Sequence, residues 1–325
     1  MRAATYRSKG PATEVLRIEE LPMPEPADGE VRVRLAFSGV NPSDVKSRAG
    51  LAVKTMEFAH VVPHNDGAGV IDAVGPGCPE DLVGRRVWVF NAQWGRAHGT
   101  AAEYVTLPDR QAVPLPDTVS LEVGASIGIP LMTAYHAVTA CGSLMSRTVV
   151  VFGAAGNVGY YATQIAKLSG AKVVAVVSSD EKANLARAAG ADGVVKYRED
   201  DISASIRAMT SGRGADFIIE VDAAANAQHY GNLLAFGGKV IVYGSGQALV
   251  PVPFRPMIMG FATLYFFIVY RLPAEVMRQT IEGVTDLLER GPLKHPSVAV
   301  FALEDIAAAH AQVERGANAK VLIRL

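Results

Sequence analysis

The stretch that most constrains the fold is Thr148–Gly170, T-V-V-V-F-G-A-A-G-N-V-G-Y-Y-A-T-Q-I-A-K-L-S-G. It opens with Val149-Val150-Val151-Phe152, a β-branched and aromatic run that favours a strand. Gly153, Gly156 and Gly159 follow, then Val158, Ala162, Ile165 and Ala166 at helical spacing, closed by Gly170. Strand, glycine turn and helix form the context that a phosphate-binding βα unit requires. The glycines let backbone approach a pyrophosphate, and the helix N-terminus offers unpaired N–H groups and a positive dipole end. The spacing is G-x-x-G-x-x-G; Ala154 stands where the strict G-x-G-x-x-G pattern has its first glycine. Taken alone, the stretch also fits an ordinary βα turn of an unrelated α/β protein.

The remainder of the chain divides by texture. Residues 1–120 read as β-rich: Val31–Leu35 alternates with period two, and Val70–Val74 and Arg86–Phe90 are further strands, separated by Pro and Gly turns. Short strands at this spacing suggest a compact, barrel-like domain. From residue 121 apolar strands alternate with helical periods: Val149–Phe152, Lys172–Val177, Asp180–Ala189, Gly193–Tyr197, Ile202–Thr210, Asp216–Val221, Ala225–Leu234 and Lys239–Tyr243. Repeated βα units with nearly all-apolar strands mark a parallel sheet covered on both faces. The end supplies a helix over Ala274–Arg290, another near Leu303–Arg315 and a last strand over Lys320–Leu325. The expected division is 1–120, 121–265 with the parallel sheet, and 266–325 returning to the first domain.

Composition excludes several function classes. With 31 basic and 32 acidic residues and a net charge of −1, nothing suggests a nucleic-acid surface. Two cysteines, Cys78 and Cys141, make neither a disulfide framework nor a cysteine zinc site, which fits a reducing, cytoplasmic setting. The N-terminus has no apolar signal core, and the longest apolar stretch, Met257–Tyr270, is too short for an ordinary membrane span. It reads as buried core or subunit contact.

The loop after the second strand of such a unit usually carries an acidic residue for the ribose of NAD. Here the sequence is Ser178-Ser179-Asp180-Glu181-Lys182, with Ser178 at the acidic position. Two hydroxyls and Lys182 suit a 2′-phosphate, and Tyr197, after the third strand, adds a phenol. Ser179 or Asp180 also suits a helix cap, and capping and binding can coexist. NADPH is the expected cofactor.

With this order of parts the sequence resembles the medium-chain dehydrogenase/reductase superfamily, specifically the zinc-free quinone oxidoreductases of the zeta-crystallin-like group. The resemblance spans the chain and rests on Gly39-Val-Asn-Pro-Ser-Asp44, Pro63-His-Asn-Asp-Gly-Ala-Gly69, Gly99-Thr-Ala-Ala-Glu-Tyr104, Gly128-Ile-Pro-Leu-Met-Thr-Ala-Tyr135, Val151–Gly159 and Gly237-Gly-Lys-Val-Ile-Val-Tyr-Gly244. It implies an α/β protein: a doubly wound Rossmann sheet that binds NADPH, plus an N-terminal GroES-like β-rich domain, with nicotinamide and substrate in a cleft. Zinc alcohol dehydrogenases of the superfamily bind their catalytic metal through Cys, His and Cys. At those places this chain carries Asn41, Asn65 and Ile129, and an amide is a poor zinc ligand. His60 and His64 are the remaining metal alternative, with Pro63 disrupting any helical spacing between them. No metal is expected.

The resemblance also places site residues. Asn41, Asp44 and Thr133 are the catalytic candidates: Asn41 as a polar group near nicotinamide or acceptor, Asp44 orienting the loop or site, Thr133 after a Pro130 turn on the nicotinamide side. Cofactor candidates are Pro130, Gly153, Ala154, Gly156, Asn157, Val158, Gly159, Ser178, Ser179, Lys182, Tyr197, Gly244, Ser245 and Lys320. Asn41 also reads as a turn residue before Pro42, and Lys320 equally as a solvated lysine. Trp94 and Phe261 to Phe267 read as an aromatic-accepting pocket or as core, with core favoured for most of the second set; His64 and His98 are candidate proton donors. The expected activity is hydride or single-electron transfer from NADPH to a quinone without zinc, by a homodimer acting on a small molecule. The alternatives are an alkenal, enone or enoyl-thioester reductase and, in another class, an NADPH-binding structural or RNA-binding protein.

Overall fold

The computed structural model describes residues 1–51, 53–316 and 318–325, which fall into two compact units. The first comprises Met1–Ile129, Thr285–Gly291 and His295–Leu325; the second comprises Pro130–Val284 and Pro292–Lys294. The divisions differ from those expected at 120 and 265. Two continuous helices, Leu121–Thr139 and Ala274–Arg290, run across the boundaries, so no turn marks either one.

The first unit is a GroES-like β structure. Its seven-stranded sheet runs in the order Val298–Ala302, Lys320–Arg324, Glu30–Val40, Asp66–Val74, Arg86–Val89, Ala112–Pro114, with Tyr104–Pro108 paired to Glu30–Val40. All pairings are antiparallel except the first, which is parallel. A further pair, Arg2–Thr5 with Arg17–Glu20, lies outside that sheet. Strand Glu30–Val40 is the hub, and its alternation buries Val31, Val33, Leu35 and Phe37. Period two then breaks over Ser38–Val40, which are all buried. That buried end leads into Asn41 and the short helix Pro42–Ala49.

The second unit is a Rossmann fold. Six parallel strands lie in the order Gly193–Lys196, Lys172–Val177, Thr148–Phe152, Ala215–Glu220, Leu234–Val242, Thr263–Phe266. Numbered within the unit this is 3-2-1-4-5-6, the doubly wound order, with its switch point beside the first strand. Val149 to Phe152 are all buried, as strands covered on both faces must be. One interior face gathers Val150, Val174, Ile218 and Val240 against Ile206, Tyr230 and Leu233.

Three local expectations need correction. Pro130 does not make a turn: it and Thr133 lie inside the 19-residue helix Leu121–Thr139. Proline removes one backbone donor there, and the helix continues past it. The helix expected over Ala225–Leu234 is instead three short turns, over Ala223–Asn226, Ala227–His229 and Tyr230–Leu233. Finally, Phe261 and Phe266 are 74% and 58% exposed, so of the two readings of Met257–Tyr270, core or subunit contact, core does not hold for these phenylalanines.

Candidate functional site

Because the six strands of the Rossmann unit run one way, the loops after Phe152, Val177, Lys196, Glu220 and Val242 all leave its carboxyl edge. Gly153 turns the chain with φ +64°, a value that a side chain strains. Gly156 then caps the helix Asn157–Leu168 without a side-chain hydrogen bond, and no acidic residue stands in the first turn. The first N–H groups of that helix therefore keep their positive end open. A Cβ on Gly159 would sit 2.3 Å from the Gly153 carbonyl oxygen, so only glycine brings helix and strand this close. Ala154 is fully buried, and its methyl is part of the packing rather than an obstruction at the surface.

The neighbouring loops carry the other cofactor candidates. Ser178 and Ser179 are half-buried; Ser179 Oγ accepts the Lys182 N–H at 3.4 Å and caps the helix Asp180–Ala188. Tyr197 is exposed, and its N–H donates to the Val177 carbonyl. The Lys196 ammonium is paired with Asp180 and Glu199. After the fifth strand, a Cβ on Gly244 would meet the Val221 carbonyl oxygen at 2.3 Å. Ser245 Oγ donates to the Gln247 carbonyl at 2.7 Å, and Asp222 accepts the Gly246 N–H at 2.7 Å, so this loop is pinned.

The GroES-like unit contains a second cluster, entirely buried. Asn41 donates from Nδ2 to Asp66 Oδ2 at 2.7 Å, and its Oδ1 accepts from Lys320 Nζ at 2.7 Å. Lys320 Nζ lies 3.6 Å from Asp66 Oδ2, both side chains being without solvent exposure. Asp66 Oδ1 accepts the Ile129 N–H at 2.9 Å. Asp44 accepts from the Asn41 N–H at 2.8 Å and from Asn65 Nδ2 at 2.9 Å. Burial, and secondarily the charge on Asp66, pushes the Asp44 carboxyl up to about 7. Burial also raises Asp66, against the pull of Lys320, and lowers Lys320, against the pull of both carboxylates.

A histidine chain adjoins this cluster. His310 Nε2 faces His64 Nε2 at 2.8 Å; His64 Nδ1 meets Ser38 Oγ at 2.8 Å; Ser38 meets Thr100 Oγ1 at 2.8 Å; and Thr100 donates to the Asp66 carbonyl at 2.6 Å. Only one proton arrangement satisfies every link. Thr100 spends its hydrogen on Asp66, so Ser38 donates to Thr100 and accepts from His64 Nδ1–H. His64 Nε2 is then an acceptor, and His310 donates from Nε2. This leaves His310 Nδ1, buried and without a hydrogen-bond partner among the described residues, as a bare lone pair. Burial lowers both imidazoles, His310 to about 3.

The domain models that match are Alcohol dehydrogenase GroES-like domain over residues 27–117 and Zinc-binding dehydrogenase over residues 157–290. The quinone oxidoreductase of Sus scrofa is 31% identical over 98% of this chain and 96% of its own. The chain belongs to the quinone oxidoreductase family of medium-chain dehydrogenases/reductases. Among solved structures, an NAD-dependent alcohol dehydrogenase superposes with TM-score 0.90 at 32% identity, covering all of both chains. A mycobacterial protein in complex with NADPH superposes with TM-score 0.88 at 27% identity, again over all of both.

The family's two groups, nucleotide and zinc, fare differently against these residues. The glycine turn, the uncapped helix start and the pinned Gly244 loop fit a dinucleotide. The zinc positions do not fit a metal. Both ends of the Asn41 amide are engaged, one by an ammonium; Asn65 is engaged by Asp44 and the Gln93 N–H; Ile129 offers no side-chain donor. Among the described residues no three of His, Cys, Asp and Glu gather at metal-binding spacing. His60 and His64 do not converge: His60 meets His98, and His64 meets His310.

Of the catalytic candidates, Asn41 and Asp44 come together in the buried cluster. Thr133 is buried in its helix within the other unit. Lys320, a cofactor candidate that also read as a solvated lysine, is not solvated: its ammonium meets Asn41 and Asp66. His64 is locked in the buried imidazole chain and is not an open proton donor, whereas His98 is exposed and meets His60 at 3.3 Å. Sequence reading passed over Asp66, although it lies in the Pro63–Gly69 motif, and over His310. It also missed Glu220, buried and bonded to the Asp222 N–H, Asn226 and Tyr230.

Proposed function

We propose that this protein is an NADPH-dependent quinone oxidoreductase that works without a metal. The carrying observation is the amide of Asn41, which stands where zinc relatives hold a ligand and is committed to Lys320 and Asp66. NADPH, when bound, supplies a hydride equivalent. Without a Lewis acid, the acceptor must itself be electron-poor. A quinone qualifies, because reduction gives it aromaticity and its oxygens need only hydrogen-bond donors and water. In this reading Asn41 gives the acceptor oxygen the Nδ2 hydrogen that Asp66 does not take. Asp44 orients the loop by holding the Asn41 and Asn65 amides. The glycine turn binds the pyrophosphate. Ser178, Ser179 and Lys182 receive the 2′-phosphate, and Tyr197 flanks it; the solved relatives include both an NADPH complex and an NAD-dependent enzyme, so these side chains carry the preference.

A homodimer is part of the proposal. Among the described residues strand Thr263–Phe266 pairs on one side only, and Phe236, Phe254, Ile258, Phe261 and Phe266 are exposed on the same unit. An open sheet edge beside so much apolar surface suits a second copy of the chain. A cytoplasmic setting accords with two cysteines that are both free. No helix among the described residues is long and apolar enough to cross a membrane.

The test is a steady-state screen of NADPH and NADH oxidation against quinones and 2-alkenals. The proposal expects the highest kcat/KM for NADPH with a quinone. A clear preference for 2-alkenals would move the assignment to an enone reductase, and turnover with neither would reject it.

A further inference from the structure

Lys320 lies on strand Lys320–Arg324, whose next residues, Val321, Leu322 and Ile323, are ordinary core. An apolar side chain there would serve packing at least as well, since burying an ammonium costs more than burying a hydrocarbon. The chain also clears space for the charge pair. A Cβ on Gly39 would meet the Ala125 carbonyl oxygen at 2.2 Å, with Asp66 Cβ at 3.1 Å and Lys320 Cε at 3.2 Å. A Cβ on Gly128 would meet Asp66 Oδ1 at 2.3 Å. Neither glycine has a positive φ, so the space, not the backbone angle, is what excludes a side chain.

An amide has two unlike ends. An ammonium only donates and a carboxylate only accepts. Turned over, Asn41 would set Nδ2 against Lys320 and Oδ1 against Asp66, losing both hydrogen bonds to repulsion at once. As found, both are made at 2.7 Å. One Nδ2 hydrogen goes to Asp66, and the second is left pointing in a fixed direction. We infer that Lys320 and Asp66 are positioning residues that lock the Asn41 amide and so set which hydrogen it presents to the acceptor. The inference rests on the reading of Asn41 as the acceptor-side donor. The other charged or titratable groups around the lock are Asp44, on the Asn41 backbone, and His64.

The experiment is a mutant cycle on the full chain with NADPH and 1,4-benzoquinone. Lys320→Met combined with Asp66→Asn removes both charges of the pair, so neither of the two is left buried without its partner. If the pair acts through Asn41, this double variant loses about tenfold to a hundredfold in kcat, with NADPH affinity within about twofold of the parent. Asn41→Ala loses a similar factor, and adding it to the double variant costs nothing more. Multiplying losses, or an unchanged kcat in the Lys320/Asp66 variant, overturns the inference.

If Asn41→Ala keeps full kcat, the reading of Asn41 fails, and the lock is then judged by spectroscopy. In asparagine-15N-labelled protein the lock predicts a slowly exchanging, slowly rotating Nδ2 pair for Asn41 that becomes fast in the Lys320/Asp66 variant. An unchanged pair overturns it. If that variant does not fold, Lys320→Arg, which keeps a cation, is measured the same way: retained kcat and a retained slow pair support the lock, and a fast pair with full kcat overturns it.

Discussion

Replacing His310 by Gln isolates the cost of burying an imidazole with a bare Nδ1. Gln keeps a donor for His64 but cannot titrate. His310 is fully buried, and its folded-state pKa is pushed to about 3 by desolvation, with the Arg48 charge adding to it. The unfolded value is the ordinary 6.5. The folded pKa is depressed, so the unfolded chain binds the proton first. Stability is therefore intact above 6.5 and drains as pH falls toward 3. From about pH 7.5 to about pH 5 the loss through this one group is about 2 kcal/mol.

Other buried groups move with pH as well, which is why the variant is needed. Asp44, with its pKa raised to about 7, takes up a proton in the folded state over the same range and stabilises it as pH falls. His64 drains stability in the same direction as His310. These contributions are common to both proteins and largely cancel in the difference. Trp88 and Trp94 are the chain's two tryptophans and both lie in the GroES-like unit, so indole fluorescence during guanidinium unfolding reports on the unit that holds His310. Over that pH step the parent should lose about 2 kcal/mol more than His310→Gln. An equal pH dependence in the two proteins would refute the proton arrangement derived for the imidazole chain.

Three further outcomes are expected. Gly159→Ala forces a methyl to within 2.3 Å of the Gly153 carbonyl oxygen; it should cost about 1–3 kcal/mol by overpacking and weaken NADPH binding in a fluorescence titration, and an unaltered affinity would separate the turn from the cofactor. Lys182→Ala should lower the NADPH over NADH preference in kcat/KM by about tenfold, whereas an untouched preference would remove Lys182 from the phosphate site. Phe266→Glu, a charge on the open sheet edge, should shift the protein from dimer to monomer in analytical ultracentrifugation; a monomeric parent, or a variant that remains dimeric, would argue against that edge as the seam.

The Rossmann unit was legible because its information is local. Short apolar strands, glycine turns and helical spacing all lie within short windows, and Lys172–Val177 falls where the pattern puts it. Errors arose where tertiary packing overrides local chemistry. Pro130 reads as a break, yet the helix tolerates a missing donor. The pattern starts a strand at Lys239, yet strand Leu234–Val242 begins earlier, and Gly237 and Gly238 form an irregularity inside it where its register with Ala215–Glu220 shifts. The buried clusters were least visible. Whether Lys320 is solvated depends on Asn41, 279 residues away, and His64 meets a partner 246 residues distant. Nothing in a window around either residue reveals such a partner.

The central claim is that the residues of this chain, with no metal, suffice for reduction of an electron-poor acceptor. Its most direct test is the rate of NADPH oxidation with 1,4-benzoquinone by protein of measured zinc content, before and after exhaustive chelation. A substoichiometric zinc content and a rate unchanged by chelation are the predicted result. Stoichiometric zinc with activity that disappears on chelation and returns on its addition would contradict the account.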